Sequence, residues 1–128
     1  MRGAVLISIV DDDESIREAT KGLVRSLGYD AVSFSSAIEF LMSGSGDETS
    51  CLITDVRMPG VSGIELQRRL ISLGCRVPTI FITAFPEEAA RRTALTAGAV
   101  GFLDKPFSEQ SLVQCLKVAL GSSGESVP

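Results

Sequence analysis

Five apolar runs divide the chain: residues 4–10 (AVLISIV), 30–35 (DAVSFS), 51–56 (CLITDV), 78–83 (PTIFIT) and 99–103 (AVGFL). Four of them are continuously apolar and rich in β-branched side chains, which predicts strands covered on both faces, as in a parallel sheet. The run at 30–35 alternates more between apolar and polar positions and predicts an edge strand. Between the runs the spacing becomes helical. Ile16, Ala19, Thr20, Leu23, Val24 and Leu27 share one face of a helix over 14–27 that Gly28 can end. A short helix is expected after Ser36, with Ala37, Phe40 and Leu41 inward. A third begins near Ser62 and turns Leu66, Leu70 and Leu73 inward. A fourth starts at Pro86, a residue suited to a first turn, and ends before Gly98. Its stripe consists of small residues, Ala90, Thr93, Ala94 and Ala97. A fifth is capped by Ser108, with Leu112, Cys115, Leu116, Ala119 and Leu120 inward.

Strand followed by helix, five times over, implies an α/β fold with a doubly wound parallel sheet and helices on both faces. Of the two common doubly wound orders, five strands favour 2-1-3-4-5. Residues 1–120 form one domain. The polar tail GSSGESVP (121–128) reads as a chain end or the first part of a linker. The SGSGDETS stretch (43–50) is a loop, and neither GxGxxG nor GxxxxGK[ST] occurs, so no nucleotide fingerprint is present.

Composition narrows the function classes. The 128 residues are 45% hydrophobic and 22% charged, as expected of one globular domain. A net charge of -4 argues against a DNA-binding surface on this segment. Cys51, Cys75 and Cys115 lack CxxC spacing; Cys51 and Cys115 sit inside apolar patterns and read as small core residues in a reducing compartment. The first apolar run is too short to span a bilayer and is followed at once by acids, so neither a signal peptide nor a membrane helix is expected, and the location reads as cytoplasmic. There is no histidine. That excludes Ser-His-Asp and Cys-His catalysis and any His-ligated metal.

In doubly wound sheets the functional crevice lies beyond the carboxyl ends of the strands. Strand 1 delivers Asp11 and Asp12 there, strand 3 Asp55, strand 4 Thr83 followed by Ala84, and strand 5 leads through Asp104 to Lys105-Pro106. Asp13 and Glu14 suit the start of the first helix. Crowding Asp11, Asp12 and Asp55 raises their pKa values unless positive charge relieves it. Lys105 offers one charge and a hard divalent cation two. Oxygen ligands without sulfur or imidazole suit Mg²⁺ (or Mn²⁺), a cation commonly shared with a phosphate. Asp55 could then attack phosphorus and form an aspartyl phosphate, a step that needs alignment and charge neutralisation rather than a general base.

The motifs VDDD (10–13), TDVRMPGVSG (54–63), TAF (83–85) and LDKPF (103–107) together resemble a bacterial response-regulator receiver domain over residues 4–120. DVRMPG and AGAVGFLDKPF are similar to the receivers of nitrogen-fixation-type transcription regulators, which carry a LuxR-type DNA-binding domain downstream. The resemblance implies the (βα)5 receiver fold and a phosphorylation switch, not a turnover enzyme. It implies Asp55 as phosphoryl acceptor, Asp11, Asp12, Asp55 and the Arg57 carbonyl as Mg²⁺ ligands, Thr83 as switch hydroxyl, Lys105 as phosphate-pairing lysine and Phe102 as switch aromatic. It also implies a sensor histidine kinase as donor, a cis Lys105-Pro106 bond, and a homodimer through the helix 4/strand 5/helix 5 face. Arg57, Ala84 and Phe85 flank the phosphoryl site; Arg57 and Phe85 are bulky and are expected to restrict the water that removes the phosphate. Two other readings stand beside this one. A dehalogenase-type phosphatase or phosphotransferase wants a second acid where Arg57 stands. A flavodoxin-like cofactor binder wants a Ser/Thr/Gly-rich loop where DDDE stands.

Overall fold

The structure is a computed structural model that describes residues 5–85 and 87–124. Its elements are β1 (Leu6–Val10), α1 (Glu14–Ser26), β2 (Asp30–Phe34), α2 (Ala37–Ser43), a 3-10 turn (Ser45–Glu48), β3 (Cys51–Asp55), α3 (Gly63–Ser72), β4 (Thr79–Thr83), α4 (Glu88–Thr96), β5 (Gly101–Asp104) and α5 (Glu109–Gly124). The five strands form one parallel sheet in the order β2-β1-β3-β4-β5. The alternating strand β2 stands at the edge, and β3 and β4 are buried along their whole length.

Strand side chains alternate between the two faces, so each face builds its own core. On one face Ile7, Ile9, Ile53, Ile80 and Ile82 pack against Val24 of α1 and Leu112 and Leu116 of α5. On the other, Val10 and Leu52 meet Phe40 of α2 and Leu66 and Leu70 of α3. Further along that face Phe81 and Val56 meet Ala94 of α4. Burial from both sides is why the strand sequences are continuous apolar runs. The helices start where a side chain can accept an orphan N–H. Asp13 accepts from Ile16 N–H (3.1 Å), Ser36 from Glu39 N–H (3.0 Å), Ser62 from Glu65 N–H (3.1 Å) and Ser108 from Ser111 N–H (3.0 Å).

Several sequence expectations are corrected. Leu73 is 73% exposed, because α3 ends at that position and Gly74 (φ 82) turns the chain away before another inward turn can form. Ala19, Thr93 and Ala97 are exposed, and within α4 only Ala94 is buried, with Ala90 half-buried. These short side chains lie at the margins of their helix faces and do not reach the sheet. The α4 helix begins at Glu88; Pro86 lies outside the described residues, as do 1–4 and 125–128. The α5 helix continues into the expected tail, to Gly124, since helix extension adds a hydrogen bond per residue without needing a side chain. Among the described residues no helix is long and apolar enough to cross a membrane.

One glycine fixes the approach of α3 to the sheet. A Cβ on Gly63 would overlap the Asp55 carbonyl oxygen, and the Gly63 N–H donates to Val56 O at 2.9 Å. Gly63→Ala is therefore expected to cost about 1–3 kcal/mol, as overpacking does. Leu73→Gln should stay within about 0.5 kcal/mol of the parent. Urea unfolding midpoints of the two variants test the contrast.

Candidate functional site

The carboxyl ends of β1, β3, β4 and β5 meet at one edge of the sheet. Asp11, directly after β1, has no exposed surface. Its Oδ1 accepts from Asp13 N–H at 2.9 Å and its Oδ2 from Lys105 Nζ at 3.1 Å. Its carbonyl accepts from the Arg17 guanidinium at 2.9 Å, which ties the turn to α1. Asp55, the last residue of β3, is 6% exposed. Its Oδ2 accepts from Lys105 Nζ at 2.9 Å, and its Oδ1 accepts from Arg57 N–H at 3.2 Å. Thr83 closes β4 and is buried; its Oγ1 accepts from Phe85 N–H at 3.0 Å, and its carbonyl accepts from Lys105 N–H at 2.7 Å. The Lys105-Pro106 peptide is cis.

Asp12 is exposed, yet a carboxylate oxygen from each of Asp11, Asp12 and Asp55 lies within 4.8 Å of the others. Asp13 turns away to cap α1. Phe102, on β5, is half-buried against the cluster that includes Ala94 of α4, its ring centroid 6.0 Å from that of Phe81. Ala84 is exposed beside Lys105. Arg57 and Phe85 are exposed and meet above the site, with the Arg57 guanidinium carbon 5.1 Å from the Phe85 ring centroid. One participant escaped the sequence analysis. Glu87, just before α4, forms an ion pair with the Arg57 guanidinium. A charged pair on two exposed loops leaves no periodic trace in a sequence.

Electrostatics define what this pocket can accept. Burial pushes the Asp11 carboxyl above the usual carboxylate range, against the pull of the Asp13 N–H and Lys105. Burial alone would lower the Lys105 pKa, but its hydrogen bonds to Asp55 and Asp11 outweigh that and leave it raised. The ammonium therefore contributes its full stability below the ordinary lysine pKa and loses it as pH rises through the higher folded value. Asp11 acts in the same direction, although here it is the neutral form that the fold favours. The folded chain binds its proton more tightly than the unfolded chain, so the fold loses stability as pH rises through the carboxylate range. Three carboxylates face one ammonium, and the donor set is oxygen only. That set fits a hard divalent cation such as Mg²⁺ or Mn²⁺, which Asp11, Asp12 and Asp55 could hold.

The sequence profile of the response regulator receiver domain matches residues 7–117. The chain belongs to the response-regulator receiver family. This receiver domain is 44% identical over 117 residues to the response regulator protein TodT of Pseudomonas putida, covering 91% of this chain and 52% of that protein. It is 34% identical over 119 residues to the transcriptional regulatory protein FixJ of Azorhizobium caulinodans, covering 93% of this chain and 56% of that protein. The crystal structure of FixJ-N superposes with a TM-score of 0.82 at 32% identity, covering 94% of this chain and 95% of that one. The chain spans about half the length of these curated relatives.

The buried Asp11 yields a two-sided expectation. In EDTA, Asp11→Asn should melt at a higher temperature than wild type, because the penalty for an ionised buried acid is gone. The same variant should lose the stabilisation that Mg²⁺ gives wild type, about 2.7 kcal/mol at a hundredfold excess over Kd. Thermal melts with and without Mg²⁺ measure both effects, and a wild type indifferent to Mg²⁺ would contradict the cation site.

Proposed function

We propose that this receiver domain is a phosphorylation-operated switch of a two-component system, with Asp55 as the phosphoryl acceptor. The observation that carries the reading is the Lys105 ammonium, bonded at once to Asp55 and Asp11 beside the Asp12 carboxylate. A carboxylate oxygen of Asp55 attacks the phosphorus of a phosphohistidine on a sensor kinase. The Asp55 O–P bond forms, the P–N bond breaks, and its electron pair leaves with the imidazole. No proton has to be removed from the nucleophile, so the absence of histidine is no obstacle. Asp11, Asp12, Asp55 and the Arg57 carbonyl would hold Mg²⁺, which when bound neutralises phosphoryl oxygens. Lys105 pairs with another of those oxygens, keeping its charge within the pocket.

Thr83 links the chemistry to the output. Its hydroxyl now accepts from Phe85 N–H. Turning to donate to a phosphoryl oxygen releases that amide and with it the loop leading to α4. Space near Thr83 is then filled by Phe102, which packs against Phe81 under α4. The resulting change of the α4-β5-α5 face drives homodimerisation. The named relatives are regulators of about twice this length, and that supports a downstream DNA-binding domain as the recipient of the signal. The domain would act in the cytoplasm and catalyse only its own phosphorylation and slow dephosphorylation.

Intact mass after incubation with acetyl phosphate and Mg²⁺ tests the acceptor. Wild type should gain one phosphoryl unit and Asp55→Asn none. Equal modification of the two proteins would refute the assignment. Sedimentation of wild type with beryllofluoride and Mg²⁺ tests the output: a shift from monomer to dimer is expected, and a monomer at high concentration would count against the proposed face.

A further inference from the structure

We infer that the Arg57 guanidinium is a phosphoryl-binding group held in reserve by Glu87, and that its transfer from Glu87 to the phosphoryl group releases the start of α4. The inference rests on the reading of Asp55 as acceptor and adds a competition to it. Three observations carry it. The Arg57 amide is hydrogen-bonded to Asp55 Oδ1 at 3.2 Å, so the Arg57 backbone is fixed against the acceptor and its long side chain can reach oxygens bonded to Asp55. In the unmodified domain that side chain is ion-paired with Glu87 and lies over the Phe85 ring. Glu87 is the residue that enters α4, yet its carboxylate makes no capping hydrogen bond and instead accepts from the Arg57 guanidinium.

The competition favours exchange. Arg57 and Glu87 are each more than half exposed, and pairs of that kind are weak. A phosphoryl group carries up to two negative charges and three acceptor oxygens, against one charge and two oxygens on the mobile Glu87 carboxylate. The element released is thinly anchored. Ala94 is the one buried residue within α4, and Gln67 Nε2 donates to its carbonyl at 3.2 Å. That amide holds the middle of the helix, whereas the Arg57–Glu87 pair holds its beginning. Removing the pair therefore frees one end of α4 while the other contacts persist. By linkage, whatever the pair contributes to the resting state is subtracted from the affinity for the phosphoryl group. Glu87 is thus a positioning residue that acts through Arg57.

The test is a double-mutant cycle read by calorimetric titration of beryllofluoride in the presence of Mg²⁺, using wild type, Glu87→Gln, Arg57→Ala and the double variant. Glu87→Gln should bind more tightly by about 2- to 5-fold, the range spanned by exposed ion pairs. Arg57→Ala should bind more weakly. In the Arg57→Ala background Glu87→Gln should change nothing, which a general effect of surface charge would not reproduce. Unchanged affinity of Glu87→Gln, or an equal gain with and without Arg57, overturns the exchange while leaving the acceptor reading intact. A wild type that neither binds beryllofluoride nor takes a phosphoryl group on Asp55 overturns both. The substituted side chains are exposed, and matching thermal melts confirm that all four proteins are folded.

Discussion

The arrangement depends on one ammonium group among three carboxylates. Lys105 Nζ bridges Asp55 and Asp11, two residues that its own strand reaches only because the sheet brings β1, β3 and β5 to a common edge. Without it, Asp11 would be a buried acid facing two more acids, a state that a carboxyl escapes by taking up a proton. With it, one negative charge is matched and the excess remains. The pocket is therefore built to be incomplete. It suits a small cation, and on the proposed reading the cation would in turn make room for an anion. Stability and function conflict at this point: the raised Asp11 pKa records a cost that the fold bears so that the site stays charged.

The scaffold makes the conflict tolerable by rigidity around the acceptor. Asp55 ends a strand that is buried at every residue, between β1 and β4. Gly63 lets α3 begin against the Asp55 carbonyl, and the loop between them returns the Arg57 amide to the carboxylate. Asp55 is thus held by backbone on both sides and by Lys105 from across the sheet. The β4–α4 connection is different. Thr83 is buried, but two residues later Phe85 is 61% exposed, and the helix that follows offers little apolar surface to the core. Rigid and loosely held elements therefore lie on either side of Asp55.

Much of this was legible in the sequence for a physical reason. In a parallel sheet every strand delivers its last residue to the same edge, so Asp11, Asp55, Thr83 and Lys105 can be placed together even though Lys105 lies 94 residues from Asp11. The continuous apolar runs follow from burial on both faces, and Ser36, Ser62 and Ser108 mark helix starts through the N–H groups they accept. What could not be read depends on solid geometry. Adjacent acids Asp11 and Asp12 look equivalent, yet one is buried and the other exposed. Leu73 continues the spacing of Leu66 and Leu70, but a periodicity cannot register that the helix has already ended. Glu87 reads as one more surface acid until a fold sets it beside Arg57.

On the proposed reading, the same geometry explains why α4, and not α3, would answer the site. Both helices flank β4 on one face of the sheet, and both begin near the acceptor. Helix α3 buries Leu66 and Leu70 among Val10, Leu52 and Phe40 and starts with a glycine pressed on β3, so moving it would open cavities costing several kcal/mol. Helix α4 buries one alanine fully and Ala90 in part, and is also tied by a side-chain amide and an exposed ion pair. Displacing such a helix exposes little apolar surface, so the proposed change of charge at Asp55 would meet little hydrophobic resistance there. The small side chains along α4 limit its apolar contact with the sheet, so polar ties such as the Arg57–Glu87 pair weigh more in its position, and on the proposed reading those are the contacts a phosphoryl group would rearrange.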